Sequence, residues 1–456
     1  MNEKCWKNVT IKFLRKRPQL SIKINSMKEG KMEIFLSLVK TPAVIIAIIA
    51  FLGLVFQKAS VSRVITGTAL SFIGFTMIKV GGSILMKVLT VFSTLFSNAF
   101  NIVGVVPSNE AIMAATIDQI GSTAAIILLF SMVINILLAR FTRLKFIYLS
   151  LHLVLFMSFA LTAVLMQLGY SYYPIIIISS IFIGFYMAAS PFFLNRFSRE
   201  IIGSDEYAIS HAAISSYIIG SYMGKWFGNK KTDTEHLKIS NKFDFLREPN
   251  IATLLTMLVL LLISCVFATQ PQIKTAMTLV YGAGAADKNT LIFILEQSAV
   301  FACGLYLAKA GVNLFTAEIV PAFKGFSRVF APGAVPAVDV MVLFTKAPNA
   351  TLIGFLVSFS VELACILIFP FVGLPIIVPG IMASFITGGA AAIFGNATGG
   401  FRGAMIASGI NGLLLCVLPA LTLPLFSHLG AQGVTFADPD FTLSSLILNH
   451  LMGLFK

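Results

Sequence analysis

The sequence predicts an all-α polytopic transmembrane protein made of two structural repeats, each interrupted by a broken or re-entrant segment. Three observations carry that reading. Hydrophobic residues make up 57% of the 456-residue chain and charged residues only 11%, with a mean hydropathy of +0.91; a soluble domain carries about 25% charged residues. Apolar runs of the length that crosses a bilayer as a helix, about 20 residues, follow one another from residue 42 to residue 426. Two stretches in corresponding places of the two halves are broken by Pro and Gly, and each carries an acid after a proline: Glu110 after Pro107, and Asp339 after Pro336. Irregular backbone at membrane depth is tolerated where it is buried in protein or lines a cavity, and an ionisable group there marks function. Paired breaks of this kind point to a transporter with its site between two repeats.

Charge supports a membrane reading over a nucleic-acid one. The net charge is +14, and half of it sits in residues 1–31, which hold nine Lys/Arg and two acids. The remaining basic residues follow the bias of cytoplasmic loops toward Lys and Arg. The five cysteines show no metal or redox spacing, so neither a metal site nor a disulfide is expected, and no cofactor either.

Taken in order, residues 1–31 are a basic tail without an apolar stretch of signal-peptide type. Lys28-Glu29-Gly30-Lys31 can be encoded by a purine-rich ribosome-binding sequence ahead of Met32, so translation is expected to start at Met32. The first repeat covers about residues 40–194, with a span at 42–56, an amphipathic helix feeding a second span over 61–96, a broken segment at 100–121, and spans at 122–139, 146–168 and 174–194. Residues 195–250 form a hydrophilic connection with eight Lys/Arg, which with the Arg140–Lys145 loop is placed in the cytoplasm. Within it, Tyr207–Phe227 is apolar, rich in small residues, and a re-entrant or interfacial helix candidate. The second repeat covers about 251–426, with spans at 251–268, 291–310, 349–370, 371–394 and 403–426 and a Gly/Pro-broken segment at 311–348. Roughly ten spans result. Residues 427–456 read as a polar loop followed by a C-terminal amphipathic helix.

The densest motif lies in the second break, where Pro332, Pro336 and Pro348 fall within 17 residues around Asp339. The run Arg328-Val-Phe-Ala-Pro332-Gly-Ala-Val-Pro-Ala-Val-Asp339, with Ala347-Pro348-Asn349-Ala350, Val378-Pro379-Gly380, Phe394-Gly-Asn396-Ala-Thr-Gly399-Gly400-Phe-Arg402 and Ala115-Thr116-Ile117-Asp118, resembles the membrane subunit, enzyme IIC, of ascorbate-type bacterial phosphotransferase systems. The resemblance runs from Met32 to about residue 426. It implies a multi-pass protein of the bacterial plasma membrane, a homodimer with a scaffold and a mobile core domain in each subunit, and an elevator-like motion. It also implies that separate enzyme IIB and IIA components handle the phosphoryl group, so that this subunit carries no phosphorylated residue. The substrate residues it implies are Asn109, Glu110, His152, His211 and Asp339, around L-ascorbate or a related small hydroxylated molecule. Phe156, Met157 and Ala212 stand where the resemblance expects glutamines beside the two histidines, which suits a neutral polyol or sugar better than an anion.

Each candidate also has a plainer reading. Asp339 could pair with Lys346 or Arg402, and Glu110 could sit in the first turn of a helix capped by Ser108 or Asn109. The histidines could be satisfied core groups, although a neutral imidazole both donates and accepts, which suits hydroxyls. Asp118 is expected to stabilise the first break, while Glu296, Glu318 and Glu362 are expected to be structural or partner-facing. No Gly-rich Lys-Ser/Thr loop and no catalytic triad is present. The rival to a phosphotransferase permease is an ion-coupled secondary transporter on the same architecture, with Asp339 or Glu110 as the ion site.

Overall fold

The structure, a computed structural model, describes residues 41–100, 104–237, 245, 248–431 and 433–455. The basic tail and the expected start at Met32 lie outside the described residues. The described chain is helical: α1 (Pro42–Phe56), α2 (Val61–Phe100), α3 (Asn109–Phe141), α4 (Leu151–Gln167), α5 (Tyr172–Ile202), α6 (Ile214–Phe227), α7 (Pro249–Phe267), α8 (Gln270–Tyr281), α9 (Thr290–Phe330), α10 (Pro348–Ile368), α11 (Gly389–Phe426) and α12 (Pro439–Gly453). Among the described residues, 7 helices are long and apolar enough to cross a membrane, and α1 and α4 are shorter apolar helices.

Six short strands join the helices: β1 (Gly104–Pro107), β2 (Phe146–Tyr148), β3 (Ala208–Ser210), β4 (Val335–Asp339), β5 (Ile376–Ile377) and β6 (Val434–Thr435). They form two three-stranded parallel sheets, β5-β1-β6 and β2-β4-β3. The physical reason is the bilayer. A chain break at membrane depth exposes N–H and C=O groups that no water can satisfy, so each must find a partner inside the protein. Here the breaks satisfy one another: Leu149 N–H donates to the Ala337 carbonyl at 2.8 Å, Val378 N–H to Val105 at 2.8 Å, and Ser108 N–H to Thr435 at 2.9 Å. Side chains complete the pairing. The Asn135 amide donates to the Phe146 carbonyl at 3.0 Å and its oxygen accepts from Tyr148 N–H at 3.1 Å. The centre of each sheet comes from one half of the chain and its flanking strands from the other, so the two halves are interlocked at the breaks.

Several boundaries differ from the sequence reading. The expected amphipathic helix and second span over 61–96 are one helix of 40 residues, α2. The first break is confined to the residues before Asn109, because Ser108 caps a helix that then runs unbroken to Phe141. The second break begins only after Phe330, since α9 continues through Pro321. The expected span 371–394 is replaced by a 3-10 turn, β5, a helical turn at Ile381–Ala383 and a π-turn at Ser384–Gly388. Only from Gly389 does a long helix run, and it kinks at Gly399–Gly400, where Gly400 has a φ of 62°. The groups freed there bond to the 229–232 loop: Asn229 N–H donates to Gly399 at 2.7 Å and Phe401 N–H to Thr232 at 2.6 Å. The largest correction is at the C-terminus. The stretch expected to be a polar loop is buried from Val434 to Thr442 and supplies β6 and the start of α12. Its polarity serves internal hydrogen bonds, not solvent.

The two longest helices, α2 and α9, lie along each other through glycines. Gly74 faces Gly311 and Gly81 faces Gly304, backbone against backbone. Without a hydrophobic drive between helices in lipid, such close approach is what holds them. A Cβ at Gly311 would run into the Gly74 carbonyl and the Ile78 N–H. Gly311→Leu is therefore expected to destabilise the protein by at least the ~1–3 kcal/mol typical of overpacking, read as a lower Tm and a broadened size-exclusion peak in detergent.

Candidate functional site

A cavity of about 120 Å3 lies where the breaks meet, lined by Asn109, Glu110, His152, His211 and Asp339 together with Phe156, Lys309, Pro379, Gly380 and Asp438, among others. All five residues singled out in the sequence thus face one space, although they come from four separate breaks. A larger groove of about 600 Å3 between α1, α3 and α9 is apolar apart from Arg140. It lacks the convergent polar groups that define a specific site.

The β2-β4-β3 sheet builds one wall. Asp339 ends β4, and its Oδ1 accepts from Met341 N–H at 3.1 Å, capping the turn Val340–Leu343. Its Oδ2 accepts from Ser150 Oγ at 3.2 Å and lies 3.7 Å from His152 Nε2. Ser150 precedes α4 yet caps it with no side-chain bond; its hydroxyl is 2.8 Å from Ser210 Oγ. The alternative partners for Asp339 are not used: Lys346 Nζ donates to the Ile202 carbonyl at 3.0 Å. His152 stands edge-on to Phe156, with ring centroids 6.4 Å apart. Phe156, one of the residues in place of an expected glutamine, thus gives the site an apolar wall. His211 follows β3, with Nδ1 3.1 Å from Tyr217 Oη, and its carbonyl accepts from Tyr186 Oη at 2.8 Å.

The β5-β1-β6 sheet builds the other wall. Glu110 lies in the first turn of α3, where the helix dipole favours an acid, and it accepts a long hydrogen bond from Ser108 Oγ at 3.4 Å. Asn109 is different. Its Nδ2 donates to Asp438 Oδ2 at 3.0 Å and its Oδ1 accepts from Ala437 N–H at 2.9 Å. It lines the cavity, but both ends of its amide hold the C-terminal segment in place. Asp440, two residues further on, accepts from Tyr186 Oη at 2.5 Å and from Ile214 N–H at 2.8 Å, with Ser215 as a further donor. This carboxylate caps α6 from outside, and through Tyr186 it fixes the segment that carries His211.

The other four acids weighed in the sequence, Asp118, Glu296, Glu318 and Glu362, lie outside the cavity lining and have partners of their own. Asp118 pairs with Lys79 at 2.6 Å, Glu318 with Arg63 at 2.6 Å, and Glu296 accepts from Tyr281 Oη at 2.5 Å. Glu362 is buried and accepts from Gly380 N–H at 3.0 Å and Ser384 Oγ at 2.5 Å, pinning the irregular backbone that forms the cavity floor. Sequence reading missed Asp438, Lys309 and Asn313 in the lining. Asp438-Pro439 joins an acid and a proline as the two recognised breaks do, and that was the available signal; Lys309 showed only as a lysine at the end of an apolar run.

Interrupted helices, buried breaks paired into small sheets, and polar side chains converging on a midchain cavity define a membrane permease. Residues 37–440 match a family model described as EIIC-GAT, the PTS system sugar-specific permease component. The chain belongs to that family, the sugar permease subunits of ascorbate/galactitol type in bacterial phosphotransferase systems. It is similar to the ascorbate-specific PTS system EIIC component of Mycoplasma pneumoniae, 24% identical over 467 aligned positions that cover 90% of this chain and 69% of that protein. It is accordingly a multi-pass protein of the plasma membrane, working with other components of the phosphotransferase system on a sugar substrate.

Proposed function

We propose that this permease carries L-ascorbate or a related small hydroxylated molecule through the cavity between the two sheets and delivers it to a separate enzyme IIB, supplied in turn by enzyme IIA, for phosphorylation at the cytoplasmic face. The observation that carries this reading is the convergence of Glu110, His152, His211 and Asp339 from separate breaks onto one cavity. Carboxylates accept from hydroxyls and neutral imidazoles both donate and accept, so the donor and acceptor pattern is that of a polyol. The similarity to an ascorbate-specific relative supports the substrate class. Two interlocked repeats, a scaffold built on the α2–α9 pair, a mobile core around α6, α10 and α11, an elevator-like motion and a homodimer complete the proposal.

The test is uptake of labelled L-ascorbate and a panel of pentitols and hexitols in cells with and without the general phosphotransferase proteins. Phosphorylated product that vanishes without those proteins is the expected result, and the panel names the substrate. Unmodified substrate accumulating in their absence, driven by an ion gradient, overturns the reading and makes the cavity acids ion sites.

A further inference from the structure

Helix α9 presents Phe301, Leu305, Lys309 and Asn313 to the cavity at intervals of four residues, a single stripe on one helical face. Its polar end, Lys309 and Asn313, lines the same cavity as the carboxylates. Lys309 makes no hydrogen bond or ion pair with any described residue and is half-buried. Its neighbour Ala308 is locked against Gly81 by backbone contact, so the lysine is carried on a rigid seam. Glu110 lines the same cavity, accepts a long hydrogen bond from Ser108 Oγ at 3.4 Å and lies within electrostatic reach of Lys309, as does His152. An ammonium inside a membrane protein is costly unless it is matched. The same cavity is lined by three carboxyl groups, those of Glu110, Asp339 and Asp438, drawn from both sheets. Left uncompensated, they would draw in cations and repel anions.

We propose that Lys309 sets the charge selectivity of the site: its ammonium offsets the carboxylates that line the cavity, chiefly Glu110, and donates to a polyhydroxylated substrate bound there. This rests on the reading of the cavity as the substrate site. When the cavity is empty the same two charges still attract each other, so they are energetically coupled even without substrate.

The experiment is a double-mutant cycle of Lys309→Gln and Glu110→Gln, with Lys309→Arg as the conservative variant, in the purified full-length protein and in cells. Two quantities are read: Tm without substrate, and competition of L-ascorbate against a neutral pentitol for uptake. Each single Gln variant is expected to lower Tm, and the double variant to lose clearly less than the two losses combined. Lys309→Gln is expected to weaken ascorbate relative to the pentitol at least tenfold, while Lys309→Arg keeps the wild-type ratio. Additive Tm losses overturn the pairing with Glu110. An unchanged ascorbate-to-pentitol ratio overturns the selectivity role even if Tm is coupled. If the wild-type protein transports none of the panel, the function reading fails, and the substrate-free Tm cycle still decides the pairing.

Discussion

Asp339→Asn is expected to lower uptake by roughly 10–100-fold while leaving the protein folded. The asparagine keeps an oxygen to accept from Met341 N–H, the bond that caps the turn after β4. It replaces the second carboxylate oxygen, the one beside Ser150 Oγ and 3.7 Å from His152 Nε2, with an amide donor. Ser150 has an alternative partner in Ser210, 2.8 Å away, so little stability is lost. What disappears is a charged acceptor at the cavity. Hydrogen bonds to charged groups contribute about 1.5–3 kcal/mol, and each 1.4 kcal/mol is about tenfold in affinity, which sets the expected range. Uptake and Tm are measured together, with Asp118→Asn as a control at the exposed Lys79 pair, where surface screening leaves about 0–1 kcal/mol. Normal uptake by Asp339→Asn in a folded protein would remove Asp339 from the site.

Most of the spans and the two proline-marked breaks were legible in the sequence for the same reason: the bilayer demands long apolar helices and penalises every interruption. Pro107 and Glu110, and Pro336 and Asp339, stand out because a proline and an acid together have no cheap place in lipid. Pairing of the breaks was not legible. Gly104–Pro107 meets Ile376–Ile377 and Val434–Thr435 across more than half the chain, and strands of two to five residues carry no periodicity to read. Polarity misled at 429–440, where Asp438 and Asp440 look like a solvated loop but are spent on Asn109, Tyr186 and the start of α6. Lys309 illustrates the remaining limit: its position at the end of an apolar run suggests a membrane boundary, whereas only the packing of α9 on α2 turns it toward the cavity.

The largest effect on stability is expected at Asn109. Asn109→Asp removes the Nδ2 donor held 3.0 Å from Asp438 Oδ2 and sets a second carboxylate in its place, in a region where both residues are buried. Breaking a buried pair so that a charge stands unmatched costs about 3–5 kcal/mol, and here the like charge adds to it. The bond at stake ties β1 to the segment of β6, so its loss loosens the wall that carries Glu110. A strongly lowered Tm and loss of the monodisperse peak are expected, with uptake abolished. Adding Asp438→Asn to Asn109→Asp exchanges the amide and the carboxylate between the two positions, and the 109–438 hydrogen bond re-forms with its direction reversed. Stability is then expected to return, and a double variant no more stable than Asn109→Asp would rule out this bond as the cause. Uptake in the rescued protein separates the two tasks of the pair. Recovery alongside Tm means that Asn109 serves to hold the wall. Stability without uptake means that the cavity needs its carboxylate at position 438, adding Asp438 to the residues that meet the substrate.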